Sequence, residues 1–537
     1  MLWYKETDHP DALYVDAFAM MAGDWLKEVF PHYKYNRSFC DYFVDYIPSK
    51  NEEKSIKFRE EGNALFTQLD WYAAMEKYNE SLCYARYDSK NLGLAYANRS
   101  ACFYQLEMYE ECLADIEMAI KSGYPENFHW KLKNRKIDCQ KMMIKGIQRD
   151  DFGTKLSFEC DPIFPCMANV IRFGRDETGT YALYANEHID IGKTIVLEKA
   201  VSTYVCDRFG LRCFVCLKTQ CNLRPCPMCT AAMFCSDECY DYWGHFFECR
   251  HTYSKDKKLN GTVMFEVRLI MQVVAMFKKP SELIGFVETT LREDPEELPD
   301  HLMDTKSIYR AYLKQPILPS YLNTQEFFIS AFAAFSTVLT YAQFKSYQKE
   351  KNRRFLMHLI MHHCLVSHRN AARKIVSGDS ELCMSTSLMM KYFKHSCAPN
   401  VSMIDLNGHA VFYTHRPVKR GEKLEISILN ILMEPTSTRR RMLLENPVYG
   451  GICNCIRCQG LGNNMQDIFE IITDRNFGEL FQGTVFRDRK HLMMVIERCE
   501  SFLTKNQNRA FSEPIAQLIT YYTELCNIRA LGPKFYI

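Results

Sequence analysis

From Ser55 to Lys145, small and apolar residues recur at the three-to-four-residue spacing of helices with one buried face, and the pattern repeats itself. Gly62, Ala74, Tyr78 and Ser81 return 38 residues later as Ser100, Cys112, Ile116 and Ala119. Small residues where helices cross, with large ones between them, are what stacked helical hairpins need. A third, partial repeat begins near Phe128, after SGYPEN. Residues 1–54 are rich in aromatics and predict helix without further detail. Past residue 160 two segments read as strands. GTYALYANEHIDIGKTIVLEKAV predicts two strands about a turn at Asp190–Gly192, and HAVFYTHRPVKRGEKLEIS predicts the same about Arg420–Gly421. Helical periodicity fills residues 250–385 between them. It returns in KHLMMVIERCESFL and IAQLITYYTELC, near the end of the chain, where about three or four helices fit.

One apolar run, FFISAFAAFSTVLTYAQF from Phe327 to Phe344, approaches the length of a bilayer span. It carries Ser330, Ser336, Thr337, Thr340 and Gln343 and lacks a sustained Leu/Ile core, so it predicts a buried helix. The length of 537 residues predicts two to four domains. A formal net charge of +2 gives no case for bulk electrostatic binding of nucleic acid or membrane. The first thirty residues mix charges with apolar residues, so no secretory signal is expected. These features predict a soluble intracellular protein. Against that background 24 cysteines stand out, and clustered thiols in a reducing compartment point to metal rather than disulfides.

The cluster is CFVCLKTQCNLRPCPMCTAAMFCSDECYDYWGHFFEC, Cys213 to Cys249. It holds Cys213-x2-Cys216, Cys226-x2-Cys229, Cys235-x3-Cys239 and His245-x3-Cys249, and four pairs make two tetrahedral sites. An x2 spacing lets both sulfurs reach one ion from a tight knuckle, and an x3 spacing puts two ligands on one helical turn.

FREEGNALF and YANRSACFY resemble the first helices of tetratricopeptide (TPR) repeats, with a period four longer than the usual 34, as the linker ARYDSKNLG allows. Arg59 and Asn63 share one helix face, as do Lys131 and Arg135. With Asn98 they resemble the dicarboxylate clamp of TPR domains that hold the acidic C-terminal tails of Hsp70 or Hsp90 chaperones; Arg59 keeps the charge of the usual lysine. A basic face that serves solubility is the alternative. The cysteine spacing, with Trp243, resembles the MYND zinc finger. That resemblance implies interleaved pairs: Cys213, Cys216, Cys235 and Cys239 on one zinc, Cys226, Cys229, His245 and Cys249 on the other, and Cys221 left as a spare thiol. Such a finger is structural or docks proline-rich peptides.

The flanking β segments resemble the SET domain of the SET/MYND (SMYD) protein-lysine methyltransferases, in the branch with an N-terminal TPR region. KHSCAPN stands where the family has Asn-His-Ser-Cys-x-Pro-Asn, GEKLEISILN where it has Gly-Glu-x-Leu-x-Ile-Ser-Tyr, and YGGICNCIRC where it has Cys-x-Cys-x2-Cys. The implied fold is multidomain α+β. It comprises a helical extension (1–54), TPR hairpins (55–145), the SET N-terminal part (160–205), the MYND finger (213–249) and a helical insert (250–385). The SET C-terminal part (386–432), a post-SET zinc site (433–460) and a C-terminal helical region (461–537) follow. Cys453, Cys455 and Cys458 are one ligand short of a closed site, and the resemblance supplies Cys397, for three zinc ions in all.

The implied reaction moves a methyl group from S-adenosylmethionine (SAM) to a lysine amine, which must be neutral and in line with the sulfonium. The resemblance assigns the cofactor pocket to Gly179, Lys394, His395 and Asn400, and a channel position to Tyr449. Three positions depart from the family. Lys394 replaces an asparagine and brings a cation toward a cationic cofactor. Ile428 replaces the catalytic tyrosine, with Tyr413 a candidate to compensate. In DETGTYALYA, Gly179 alone offers backbone freedom. Two functions follow from this: a SAM-dependent protein-lysine N-methyltransferase with a diverged site, or a catalytically inactive adaptor that binds chaperone tails or proline-rich peptides. The expected state is a monomer in the cytoplasm with nuclear access, without nucleic-acid or membrane partners. The short C-terminal region implies a more open substrate cleft.

Overall fold

A computed structural model describes residues 49–144, 152–205, 212–219, 221–241, 245, 248–249, 257–317, 325–376, 381–428, 434, 436, 438, 440, 453–460, 465–481, 489–507, 509 and 511–531. The chain opens with α1 (Glu52–Thr67), α2 (Trp71–Tyr84), α3 (Lys90–Gln105), α4 (Tyr109–Lys121) and α5 (His129–Ile144). The side chains of Asn51, Asp70 and Ser89 accept from the backbone N–H groups of Lys54, Ala73 and Asn91, which caps the first three. Each helix packs on its neighbours in sequence, and α1 and α5 also touch α3. The repeat positions are where these helices meet. A Cβ at Gly62 would lie 2.6 Å from the Tyr78 ring, and Ala74, Ser100, Cys112 and Ala119 are fully buried.

Next come β1 (Ile171–Arg175), β2 (Tyr181–Ala185), β3 (Thr194–Lys199) and β4 (Thr203–Val205). The cysteine-rich segment contributes β5 (Arg224–Pro225), β6 (Met233–Phe234) and α6 (Asp237–Tyr240). Helices α7 (Lys257–Ala275), α8 (Pro280–Arg292), α9 (Thr305–Leu313), α10 (Gln325–Val338) and α11 (Glu350–Asn370) form the insert. Then follow β7 (Ala371–Val376), β8 (Glu381–Thr386), β9 (Lys394–His395), β10 (Val401–Leu406), β11 (His409–Thr414) and β12 (Glu425–Ile426). The last described helices are α12 (Met465–Thr473), α13 (Arg475–Leu480), α14 (Arg489–Lys505) and α15 (Glu513–Leu531).

The expected strands exist, but they are not the expected hairpins. β2 pairs with β1, while β3 pairs antiparallel with β11, which also pairs with β10. β12 runs parallel to β9. Isolated bridges, Ile189 with Val418 and Tyr184 with Lys423, link the two segments instead. The glycine turns are real, with φ of +77° at Gly192 and +80° at Gly421, yet the strands around each turn leave for distant partners. The insert also departs from the helical expectation at its end, where β7 and β8 form a hairpin that adds β4 at its edge. Ser-Gly-Asp-Ser between β7 and β8 is the turn signal for that hairpin.

α10 covers most of the apolar run, and no helix among the described residues is long and apolar enough to cross a membrane. Its Phe327, Ala334 and Val338 are buried in the insert's core. The C-terminal helices bury Cys499, Ile519 and Tyr522 against Ile404, Val411 and Tyr413 of β10 and β11. Tyr413 is fully buried there, edge-on to Phe152, which corrects its candidacy as a compensating hydroxyl in the cleft.

Candidate metal centres and the cleft beside them

Three groups of ligand atoms converge, each with all four atoms within 4.8 Å of one another: Cys213, Cys216, Cys235 and Cys239; Cys226, Cys229, His245 and Cys249; Cys397, Cys453, Cys455 and Cys458. A tetrahedral ion with metal–sulfur bonds of ~2.3 Å needs sulfurs about 3.8 Å apart. The Sγ atoms of Cys216 and Cys235 are 3.4 Å apart, those of Cys235 and Cys239 3.9 Å, and those of Cys226 and Cys249 3.8 Å. Nε2 of His245 faces Cys229 Sγ at 3.7 Å. The donor sets therefore fit zinc. Cys221 lies outside the first group, its thiol 3.8 Å from the Lys218 carbonyl.

Two buried arginines from different helices hold this segment. Arg99 of α3, unexposed, donates from Nε and Nη2 to Asp115 at 2.7 Å each and from Nη1 to Asn79 at 2.6 Å and the Leu223 carbonyl at 2.9 Å. Arg268 of α7 donates to Glu248 at 2.8 and 2.7 Å and to the carbonyls of Thr203 and Phe214 at 2.6 and 3.0 Å. Sequence reading missed both, because an arginine in an amphipathic helix reads as a solvated face.

The third group joins cysteines from two distant parts of the chain. Cys397 is fully buried, and its Sγ is 3.4 Å from that of Cys458. Arg457 donates to the Cys397 carbonyl at 3.3 Å and to Glu513 of α15 at 3.0 Å, so the cysteine loop is tied to the last helix. His395 faces Cys397 with Nε2 at 3.6 Å and accepts from the Ile428 N–H with Nδ1 at 3.3 Å. Burial lowers its pKa, which favours the neutral ring this acceptor role needs. Asn400 spends its whole amide internally: Nδ2 donates to the Lys423 carbonyl at 2.8 Å, and Oδ1 accepts from Glu425 N–H, also at 2.8 Å. Both residues hold the 422–428 segment against the Lys394–Asn400 loop.

Lys394 reaches the β1–β2 turn. Its Nζ donates to Thr180 Oγ1 at 2.7 Å and lies 3.6 Å from Asp176 Oδ2. Burial raises the Asp176 pKa, but hydrogen bonds from Thr178 and Thr180 and the Lys394 charge outweigh it and hold the carboxyl well below its usual range. A second pair, Lys423 with Glu177 at 2.9 Å, pins the same turn. Gly179 sits at the tip with φ of +80° and open space where a Cβ would be. Ile428 is 37% exposed and offers no hydroxyl. Asp-x-Thr-x-Thr at 176–180 was the readable signal for this turn, since Asp side chains cap their own backbone two residues on. Tyr449 and Trp243 lie outside the described residues.

Of the five groove residues, the structure joins two directly. Asn98 Nδ2 donates to Asn63 Oδ1 at 2.7 Å, and the Tyr78 hydroxyl donates to the same oxygen at 3.0 Å. Arg59 is near enough to bias Tyr78 electrostatically, and its Nε is buried without a partner. Arg135 instead turns onto α3, donating to the Ala97 carbonyl at 2.9 Å and to Ser100 Oγ at 2.5 Å. Lys131 lies over the rings of Phe128 and Trp130.

Residues 166–428 match the family model for the SET domain. The chain is 27% identical over 229 residues to zebrafish "Protein-lysine N-methyltransferase SMYD4", covering 37% of this chain and 30% of that protein. It is 23% identical over 301 residues to the Schizosaccharomyces pombe "SET domain and MYND-type zinc finger protein 6", covering 55% and 52% respectively. To mouse "Histone-lysine N-methyltransferase SMYD3" it is 26% identical over 322 residues, covering 58% and 66%. The matched region thus spans about a third of the zebrafish relative's length. The SET match, these relatives and the three ligand groups agree: the chain belongs to the SET/MYND family.

Proposed function

We propose that the chain is a SAM-dependent protein-lysine N-methyltransferase of the SET/MYND type. In this reading TPR-like hairpins (α1 to α5) precede a MYND finger with two zinc ions, a split SET domain and a post-SET zinc that Cys397 closes. The observation that carries it is the third ligand group, which brings Cys453, Cys455 and Cys458 to the KHSC loop beside the β1–β2 turn. Bound SAM supplies an electrophilic methyl group on a sulfonium. Gly179, with its free turn tip, and Lys394 would face it, while His395 and Asn400 position the strand behind. The like-charge objection to Lys394 weakens because Asp176 offsets its charge, so the residues fit a cationic cofactor better than a bare lysine would.

A second reading, an adaptor with little or no transfer activity, is favoured by Ile428: no hydroxyl stands at that position, and Tyr413 is packed against the C-terminal helices. Its partners would be acidic chaperone tails at Arg59, Asn63 and Asn98, where a free C-terminal carboxylate and an acidic side chain meet a cation and amides. Calorimetry with SAM and S-adenosylhomocysteine separates the two. Absence of binding by both rules out the enzyme. If they bind, Ile428→Tyr should raise turnover on a lysine peptide. For the groove, an acidic peptide with a free C-terminus should bind more tightly than its amidated form, and Asn98→Ala should erase the difference.

A further inference from the structure

β3 carries an acid on a face that packs into the core. Glu198 stands opposite Ala410 of β11 and is buried, and among the described residues no cation pairs with it. Its partners are three donors on the segment that enters the KHSC loop. Oε1 accepts from the Leu388 N–H at 2.7 Å, and Oε2 accepts from the Met389 N–H at 3.1 Å and from the Ser387 hydroxyl. Ser387 Oγ in turn accepts from the Met390 N–H at 3.3 Å. Burial favours the neutral acid and the three donors favour the carboxylate; burial has the larger effect and lifts Glu198 to about 7. A proton on either oxygen takes up a lone pair and weakens the hold on these donors.

The chain held in this way leads into the cofactor pocket. From Ser387 it makes one 3-10 turn, Met389–Tyr392, which buries Met389 and sets Tyr392 edge-on to Phe173 of β1 at 4.9 Å. Lys394 follows and reaches Thr180 and Asp176 of the β1–β2 turn. We propose that Glu198 is a positioning residue for SAM: ionised, it fixes the path of residues 387–394 and so the placing of Lys394 in the pocket, and protonated, it lets that path loosen. The proposal rests on the methyltransferase reading above. The titratable groups that face Glu198 are the Cys166 thiol and the Tyr392 phenol, both raised by burial and so neutral near pH 7. Lys199 and His409, beside it on β3 and β11, point to the opposite face of the sheet. Lys391, in the 3-10 turn, is lowered by burial to about 8 and titrates above the range used below.

Calorimetry with S-adenosylhomocysteine on the full-length chain tests this. Apparent affinity scales with the fraction of chains in the competent form, which for a group near 7 is about 0.09 at pH 6 and about 0.76 at pH 7.5. The parent should therefore bind about eightfold more tightly at pH 7.5 than at pH 6. Glu198→Gln, neutral at every pH, should bind at least fivefold more weakly than the parent at pH 7.5 and change no more than twofold across the range. A parent whose affinity is flat with pH, or a variant that follows the parent's curve as a purely structural role requires, overturns the proposal. Hydrogen exchange on the chain without ligand gives an independent reading. At pH 7.5 Glu198→Gln should speed exchange in residues 387–394 about tenfold and leave α1 to α5 unchanged, and unchanged exchange in that segment overturns the proposal as well. No binding by the parent at any pH overturns the methyltransferase reading itself and the positioning role with it, whereas binding with an unaffected variant sinks the positioning role alone.

Discussion

Replacing Arg99 with methionine removes four hydrogen bonds at a place with no solvent access: two to Asp115, one to Asn79 and one to the Leu223 carbonyl. Methionine fills most of the space, so the loss is chiefly electrostatic. Breaking a buried pair from one side costs about 3–5 kcal/mol, because the other charge stays buried. Asp115 keeps one donor, Asn222 Nδ2 at 2.8 Å, which places the expected loss for Arg99→Met nearer the lower end, about 3–4 kcal/mol. Asp115→Leu should cost at least as much, since the stranded guanidinium has lost both of its strongest acceptors. The double variant removes both charges and should lose only about 1–2 kcal/mol, giving a coupling of several kcal/mol. Urea unfolding of the full-length chain, followed by circular dichroism at fixed metal content, measures all four corners of the cycle. Either single variant losing less than 1 kcal/mol, or a double variant as unstable as the sum of the singles, would refute the reasoning. Because Arg99 also holds Leu223, three residues from Cys226, the single variant should release metal to a chelator faster than the parent does.

Cys397→Ser should lower bound zinc from three equivalents to two by mass spectrometry of inductively coupled plasma, with the first two groups intact; three equivalents in the variant would sink the assignment of Cys397. Burial pushes His362 down to about 4, against an unfolded value of 6.5, so the unfolded chain takes up a proton that the folded one refuses. Stability from this residue is therefore full above pH 6.5 and falls with acidification, by about 2 kcal/mol at pH 5 and about 3 kcal/mol near pH 4. His362→Gln should flatten the urea midpoint between pH 7 and 5, and an unchanged slope would contradict this. Gly62→Ala drives a methyl to 2.6 Å from the Tyr78 ring and should cost about 1–3 kcal/mol in thermal or urea unfolding, whereas Gly285→Ala, inside α8 with open space around it, should stabilise by about 0.5–1 kcal/mol through helix propensity alone.

The ligand groups were legible because metal geometry writes itself into sequence spacing: x2 and x3 pairs are local and survive any rearrangement elsewhere. The helical repeat was legible for the same local reason, since Gly62 and Ala74 mark crossings within one hairpin. What stayed hidden was long-range. β2 and β3 look like one hairpin around Gly192, yet β3 pairs with β11, and nothing in either segment encodes that partner. The β7–β8 hairpin was absorbed into helical periodicity, because short apolar runs fit both periods. Arg135 looked like a groove cation, but the small Ser100 across from it leaves room for the guanidinium to turn onto α3. Lys394 was read as a charge beside the cofactor, and its compensation by Asp176 depends on a turn more than two hundred residues away in sequence.

The pairing of β3 with β11 also has a temporal side. Residues 194–199 leave the ribosome more than two hundred residues before their partner strand exists. At ~5–20 residues per second that interval is about 10–40 s. Throughout it, the apolar Ile195 and Val196 wait without their sheet, and the nascent chain depends on whatever in the cell shields a lone strand from its neighbours.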